Sequence, residues 1–315
     1  MMNIIDLVEI LGLDEEYGIN WRNIITESKN FSEEIVQYLS EVIPKLKLSR
    51  EVRAWIRDGI ICDFTLEQMK MYINPVYHHL QMREICRGFK YGLTMEQVAL
   101  YAKPEFSSDQ MATILYGLGR NTIEQVRIYA NPKFSEDKMW IMCRGYEHGL
   151  SIEQMMVCAN PAFSCEQMNK IILGFECGGF SVEQVKMYAK PEFSPEQMEK
   201  KCAEILNQII SQHLDIPIDL NFDFYQLLEI KSGFENNLTI GQIKIYAKPE
   251  FDYNQMAQIR IGFEHYLTEK QIRQYADPCL SYTEMSLLRN DIERKRDVET
   301  LIRRKIERNK KKSWY

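Results

Sequence analysis

A proline recurs along this chain at Pro75, Pro104, Pro132, Pro161, Pro191, Pro249 and Pro278. The gaps are 29, 28, 29, 30, 58 and 29 residues, and the gap of 58 holds two periods with one degenerate copy between them. A fixed period of 20 to 50 residues is the signature of an array in which each unit buries its apolar face only against its neighbours. That period constrains the fold more than any other feature of the 315 residues. It predicts an all-α chain, a right-handed α-solenoid of two-helix repeats.

Each unit has one grammar. A short helix opens with Thr or Ser followed three residues later by Gln, as in Thr65/Gln68, Thr94/Gln97, Thr122/Gln125, Ser151/Gln154, Ser181/Gln184, Thr239/Gln242 and Thr268/Gln271. That spacing predicts a capping box, in which hydroxyl and amide satisfy each other's orphan backbone donors. The Tyr-Ala-x-Pro that follows stops the helix, because the residue before proline is pushed out of the α region. A longer helix then starts three residues past the proline, again on Ser or Asp, with Phe106/Met111, Phe163/Met168, Phe193/Met198 and Phe251/Met256 as staples. Gly88, Gly117, Gly145, Gly174, Gly233 and Gly262 recur inside that longer helix. Mid-helix glycine costs roughly 1 kcal/mol relative to alanine, so its recurrence predicts close approach to a neighbouring helix. A second glycine (Gly92, Gly149, and Gly178 or Gly179) falls where a left-handed C-cap would end the helix.

Three regions follow. Residues 1–45 are expected to form an N-terminal helical cap, with amphipathic helices over 3–11 and 32–42. Residues 46–285 hold about eight repeats of about 29 residues. The weak copy spans 200–232, where Leu220 replaces the proline, Glu204 the glycine and Pro217 the tyrosine. Residues 286–315 form a basic C-terminal helix and tail. The net charge of −6 conceals an asymmetry: residues 289–312 carry 11 Lys/Arg and 5 Asp/Glu, which is +6 and leaves −12 for the rest.

Candidate chemistry is sparse. The glutamines read as caps and the row Tyr72, Tyr101, Tyr129, Tyr188, Tyr246 and Tyr275 as inter-repeat core, although an aromatic row could also stack bases. Glutamates after the short-helix caps favour the helix dipole. Together with the row Glu147, Glu176, Glu235 and Glu264 they form solvated ridges or a surface for a basic partner. No carboxylate pairing suggests acid–base catalysis, and no GxGxxG, P-loop, GxSxG or HExxH motif occurs. His78 and His79 near Cys86 lack the spaced ligand pairs of a zinc site, and His78 occupies a helix N-cap slot. The expectation is therefore no enzyme, no cofactor and no metal. The eight cysteines include no CxxC and suit reduced, mostly packed thiols. With no basic leader and no long apolar run, the expected location is the cytoplasm.

The least constrained positions flank the marker proline: Asn74, Lys103, Glu105, Asn131, Lys133, Asn160, Lys190, Glu192, Lys248 and Glu250. A fixed scaffold with variable loop residues along one edge is how solenoids present a recognition surface. These residues are the candidate partner-binding set. Arg303, Arg304, Lys305, Arg308, Lys310, Lys311 and Lys312 form a separate basic set in the tail.

At the short-helix openings, LTMEQVALYA and LTIGQIKIYA, the chain resembles the short helix of transcription-activator-like effector repeats over about ten residues per unit. That resemblance implies a superhelix with loop residues facing a ligand. The units here are shorter, and their longer helices open on acids such as Asp109 and Glu136, where that family carries basic groups. The whole unit is also similar to uncharacterised bacterial α-helical repeat proteins of anaerobes and their mobile elements, a family that implies no function of its own. Small acidic binding proteins on mobile elements are sometimes inhibitors of host defence systems, and by that association the expected activity is inhibition of a bacterial defence system, anti-CRISPR-like. The combined expectation is a non-enzymatic scaffold that engages a protein or peptide through a concave or loop-edge surface. The alternative is a nucleic-acid-binding repeat protein using the basic C-terminal helix, since duplex binding relies on Lys/Arg neutralising phosphates. No membrane partner and no small-molecule substrate are expected.

Overall fold

The computed structural model describes residue 10 and residues 32–46, 48–214 and 222–295, and all regular structure among them is helical. A helix α1 (Glu33–Val42) and a short 3-10 turn (Ile43–Lys45) come first. Long and short helices then alternate: α2 (Arg50–Ile61) with α3 (Leu66–Tyr72), α4 (His79–Lys90) with α5 (Met95–Ala99), and α6 (Ser108–Leu118) with α7 (Ile123–Tyr129). The series continues with α8 (Glu136–Glu147) and α9 (Ile152–Cys158), then α10 (Cys165–Glu176) and α11 (Val182–Lys186). After a single long α12 (Pro195–Leu214) come α13 (Phe224–Glu235) with α14 (Ile240–Tyr246), α15 (Tyr253–Glu264) with α16 (Glu269–Ile272), and α17 over residues 282–295. The chain forms two compact units, Met1–Ile172 and Leu173–Tyr315. In the first, α2, α4, α6 and α8 pack in series; in the second, α12, α13 and α15 do so. Among the described residues no helix is long and apolar enough to cross a membrane.

All seven short-helix capping boxes are present, each with the hydroxyl accepting from the N3 amide and the N3 glutamine accepting from the cap amide. Such a cap contributes about 1 kcal/mol, which these short helices need because isolated helices of this length are unstable in water. They end in a tight turn whose amide, two residues on, bonds the tyrosine carbonyl, as Lys103 N does to Tyr101 O at 2.7 Å. The pre-proline residue is thereby held outside the helix. The tyrosine row is fully buried, so it belongs to the core and offers no stacking face.

The recurrent glycines have a specific cause. In five of the six positions a Cβ would lie within about 2 Å of the hydroxyl of the next short helix's tyrosine; at Gly88 the distance to Tyr101 Oη would be 2.0 Å. At three of these positions the hydroxyl passes through that gap and donates to a carbonyl one helical turn earlier. Tyr101 Oη bonds Glu84 O, Tyr246 Oη bonds Glu229 O and Tyr275 Oη bonds Gln258 O, each at 3.2 Å. Tyr72 does the same with Trp55 O at 2.9 Å, across Gly59. Gly145 is the exception: Cys158 stands in the tyrosine slot, and the flexible Met155 Cε fills the space.

Three expectations change. The degenerate copy does not keep a separate short helix at its usual place, for α12 runs 20 residues where its counterparts run 11 or 12. Ile210 occupies the cap slot and Glu204 the glycine slot, so neither a stop nor a start signal interrupts it. Only half of the thiols are packed: Cys86, Cys143, Cys158 and Cys202 are buried, Cys165 is intermediate, and Cys62, Cys177 and Cys279 are exposed. Of the glycine pair, Gly179 takes the left-handed conformation and Gly178 does not. The expected helix over 3–11 apart from residue 10, Pro217, Leu220 and residues 296–315 of the basic tail lie outside the described residues.

Tyr266 occupies the C-cap slot of α15 at φ 62°, where Gly92 and Gly149 sit in the earlier repeats. A left-handed conformation costs a non-glycine residue about 1–2 kcal/mol, and its side chain is 88% exposed and recovers little. Tyr266→Gly is therefore expected to raise the melting temperature by a few degrees, close to a 1 kcal/mol gain. A lower melting temperature would show that the exposed ring stabilises the cap.

Candidate functional site

The longer-helix glutamines do more than cap. Gln81 accepts from His78 N at 2.8 Å, while its amide nitrogen donates to Phe106 O at 2.6 Å and Pro104 O at 3.0 Å in the next repeat's loop. Gln110 bonds Phe134 O at 2.6 Å and Pro132 O at 3.2 Å. In the second unit Gln226 bonds Phe251 O at 2.6 Å, and Gln255 bonds Leu280 O and Pro278 O at 2.7 and 3.0 Å. At the fourth loop Lys138 replaces glutamine and its Nζ reaches Pro161 O at 2.8 Å. The loops at Pro104, Pro132, Pro161, Pro249 and Pro278 are thus anchored by the preceding longer helix, and at four of them a charge-free amide reaches two backbone acceptors at once. The sequence carried no signal for this, because glutamine stands at the same cap position in the short helices.

On this anchored edge the ten candidate residues divide by chemistry. Asn74, Asn131 and Asn160 are half-buried, and their side-chain oxygens accept from the amides of Val76, Lys133 and Ala162 at 3.1, 3.1 and 3.0 Å. These are Asx turns that shape the loop, so the asparagines are committed to their own backbone. Lys103, Glu105, Lys133, Lys190, Glu192, Lys248 and Glu250 are exposed. Lys190 lies over the Phe193 ring at 5.3 Å, and Lys248 is 4.0 Å from Glu250. The structure therefore brings Lys103, Glu105 and Lys133 to the loop edge of the first unit, and Lys190, Glu192, Lys248 and Glu250 to that of the second.

The acidic ridges are less continuous than their sequence spacing suggests. Arg127 reaches back to Glu96 at 2.7 Å, Arg120 lies 3.3 Å from Glu147, and Glu264 takes both Arg260 and Asn236. Such exposed pairs each contribute at most about 1 kcal/mol, but they neutralise the rows locally. A hollow of about 440 Å³ between α1 and α3 is lined by Glu34, Glu41, Glu67, Tyr38 and Lys70. Among the described residues no three His, Cys, Asp or Glu side chains converge as a metal ion requires. Burial pushes the Cys86 and Cys158 thiols up to about 12, which keeps them protonated and unreactive at neutral pH.

No protein-family model, curated protein or solved structure matches the chain.

Proposed function

We propose that this chain is a non-enzymatic binding scaffold, its repeats stacked as a right-handed α-solenoid within each unit, that engages a partner protein or peptide along the loop edge. The observation that carries this reading is the contrast at the marker-proline loops. Their backbone is tied down by Gln81, Gln110, Gln226 and Gln255, while Lys103, Glu105, Lys248 and Glu250 project from it exposed. A rigid edge presenting changeable charges loses little conformational freedom on binding, which is how preorganised surfaces gain affinity. Mixed charge of this kind favours a protein surface over a polyanion, because the net charge of −12 outside residues 289–312 opposes phosphate. Inhibition of a bacterial defence protein by occlusion is one activity a scaffold of this kind performs.

The test is affinity purification from a native lysate at moderate salt, with and without nuclease treatment. A protein retained in stoichiometric amount after nuclease is the expected result. Retention of nucleic acid alone, lost on nuclease treatment, would replace this reading with the nucleic-acid one.

A further inference from the structure

One stripe on the long helices departs from what the repeat requires. In every long helix the residues five before, one before and three after the packing-glycine slot are spaced i, i+4, i+8 and share a face. On α13 and α15 of the second unit these positions hold no Arg, Tyr or Trp: Leu228, Ser232 and Asn236 on α13, Ala257, Ile261 and His265 on α15. The scaffold therefore builds without guanidinium–aromatic stacks there. On α4, α6 and α8 of the first unit the same positions carry Arg87 and Tyr91, Tyr116 and Arg120, and Trp140 and Arg144.

These side chains meet across helices. The Tyr116 and Trp140 rings are 4.8 Å apart, joining α6 to α8, and the Arg120 guanidinium sits 3.8 Å from the Tyr116 ring centre. Arg87 lies 5.6 Å from the Tyr91 ring centre, and its Nη2 donates to Tyr91 Oη at 3.2 Å. Trp140 is 39% and Tyr91 65% exposed. Arg144 is exposed and has no acidic partner among the described residues. Guanidiniums stacked on rings are held flat, with their remaining N–H groups free for a planar bidentate acceptor. Buried Glu84 and nearby Glu147 engage one nitrogen each of Arg87 and Arg120, leaving the other donors uncommitted to carboxylates.

We propose that this stripe is a docking face for an acidic polypeptide segment, one that sets Asp or Glu side chains against Arg144, Arg120 and Arg87 and an apolar side chain against Trp140. Two observations favour carboxylates over nucleic acid. The Tyr116 ring is already engaged by both Arg120 and Trp140, so it does not offer the open stacking platform that bases use. The chain's net charge of −6 also opposes a long polyanion while tolerating a short acidic segment. Buried Trp and Arg are the side chains that most often dominate an interface, which fits a small anchor of this composition. The proposal rests on the scaffold reading but adds a surface distinct from the loop edge.

The test is selection from a random peptide library displayed on phage against the full chain, with labelled oligothymidylate as the competing probe. Enriched peptides are expected to be rich in Asp and Glu with interspersed apolar residues. They should bind Arg144→Glu and Trp140→Ala about tenfold or more weakly, while Lys244→Glu on α14 stays within about twofold of the parent. Both variants lie on exposed positions, and circular dichroism checks that each is folded. The proposal is overturned by neutral or basic enriched sequences, by no enrichment, by equal binding to both variants, or by oligothymidylate binding that Arg144→Glu abolishes. A captured protein partner that ignores these two substitutions would leave the loop-edge reading standing and remove this one.

Discussion

Gly88→Ala is expected to destabilise the fold by about 2 kcal/mol, although alanine is the better helix former by about 1 kcal/mol. The new Cβ would sit 2.0 Å from the Tyr101 hydroxyl and 3.3 Å from its ring carbon Cζ. Tyr101 is fully buried and its hydroxyl bonds Glu84 O, so the ring has nowhere to retreat. Overpacking of this kind costs about 1–3 kcal/mol, and the displaced hydrogen bond adds about 1. Gly145→Ala is the internal control, because there the added methyl meets Met155 Cε, the end of a flexible side chain. That substitution is expected to be neutral or stabilising within about 1 kcal/mol. In a Tyr101→Phe background the Gly88→Ala cost should fall below about 1 kcal/mol, which a double-mutant cycle read by urea unfolding measures directly. Equal costs at Gly88 and Gly145 would mean the glycines serve helix packing in general and not the tyrosine hydroxyl.

The second large effect lies on α4. Glu84 has no solvent exposure, and its carboxylate is held by Arg83 Nε at 2.6 Å and Arg87 Nη1 at 2.8 Å. Removing both cations leaves a buried charge without a partner, a change that costs about 3–5 kcal/mol. Arg83→Met with Arg87→Met is expected to lose that much in urea unfolding. Adding Glu84→Met should recover most of it, since an apolar replacement of the whole cluster is close to neutral. A loss under about 1 kcal/mol for the double variant would show that Glu84 reaches water or another donor once the arginines are gone.

Much of the fold was legible in the sequence because its signals were local. Thr94 with Gln97 and Ser107 with Gln110 needed only their own spacing to be read as caps, and each is one in the structure. Pro104 and Pro132 mark loops because their effect is exerted on the residue just before them. The glycines were half legible: their recurrence implied close approach, but the partner was a tyrosine hydroxyl twelve to fourteen residues on, a contact no periodicity names. The glutamine bridge was not legible at all, because Gln97 and Gln110 look alike in sequence and only Gln110 faces a neighbouring loop. The length of α12 was obscured for the opposite reason, since Phe222, Asp223 and Gln226 keep the register and conceal the missing stop near Ile210.

The candidate site was legible only as a location. Proline-flanking positions vary along the chain, yet Asn131 and Lys103 vary for different reasons. Asn131 closes an Asx turn on Lys133, while Lys103 is exposed. The Arg87, Tyr116, Trp140 and Arg144 stripe is visible in the sequence only after the glycines are used to align the helices. Counting residues from proline alone does not single it out.

The most direct measurement of the scaffold account is the affinity of the captured protein for the parent chain and for one loop-edge variant. That variant carries Lys103→Ser, Glu105→Ser, Lys190→Ser, Glu192→Ser, Lys248→Ser and Glu250→Ser. All six side chains are exposed, so the melting temperature should stay within about 2 °C of the parent, as surface substitutions usually do. The account predicts a Kd weaker by about tenfold or more, or about 1.4 kcal/mol. An unchanged Kd with an unchanged melting temperature would contradict it and move the binding surface off the loop edge.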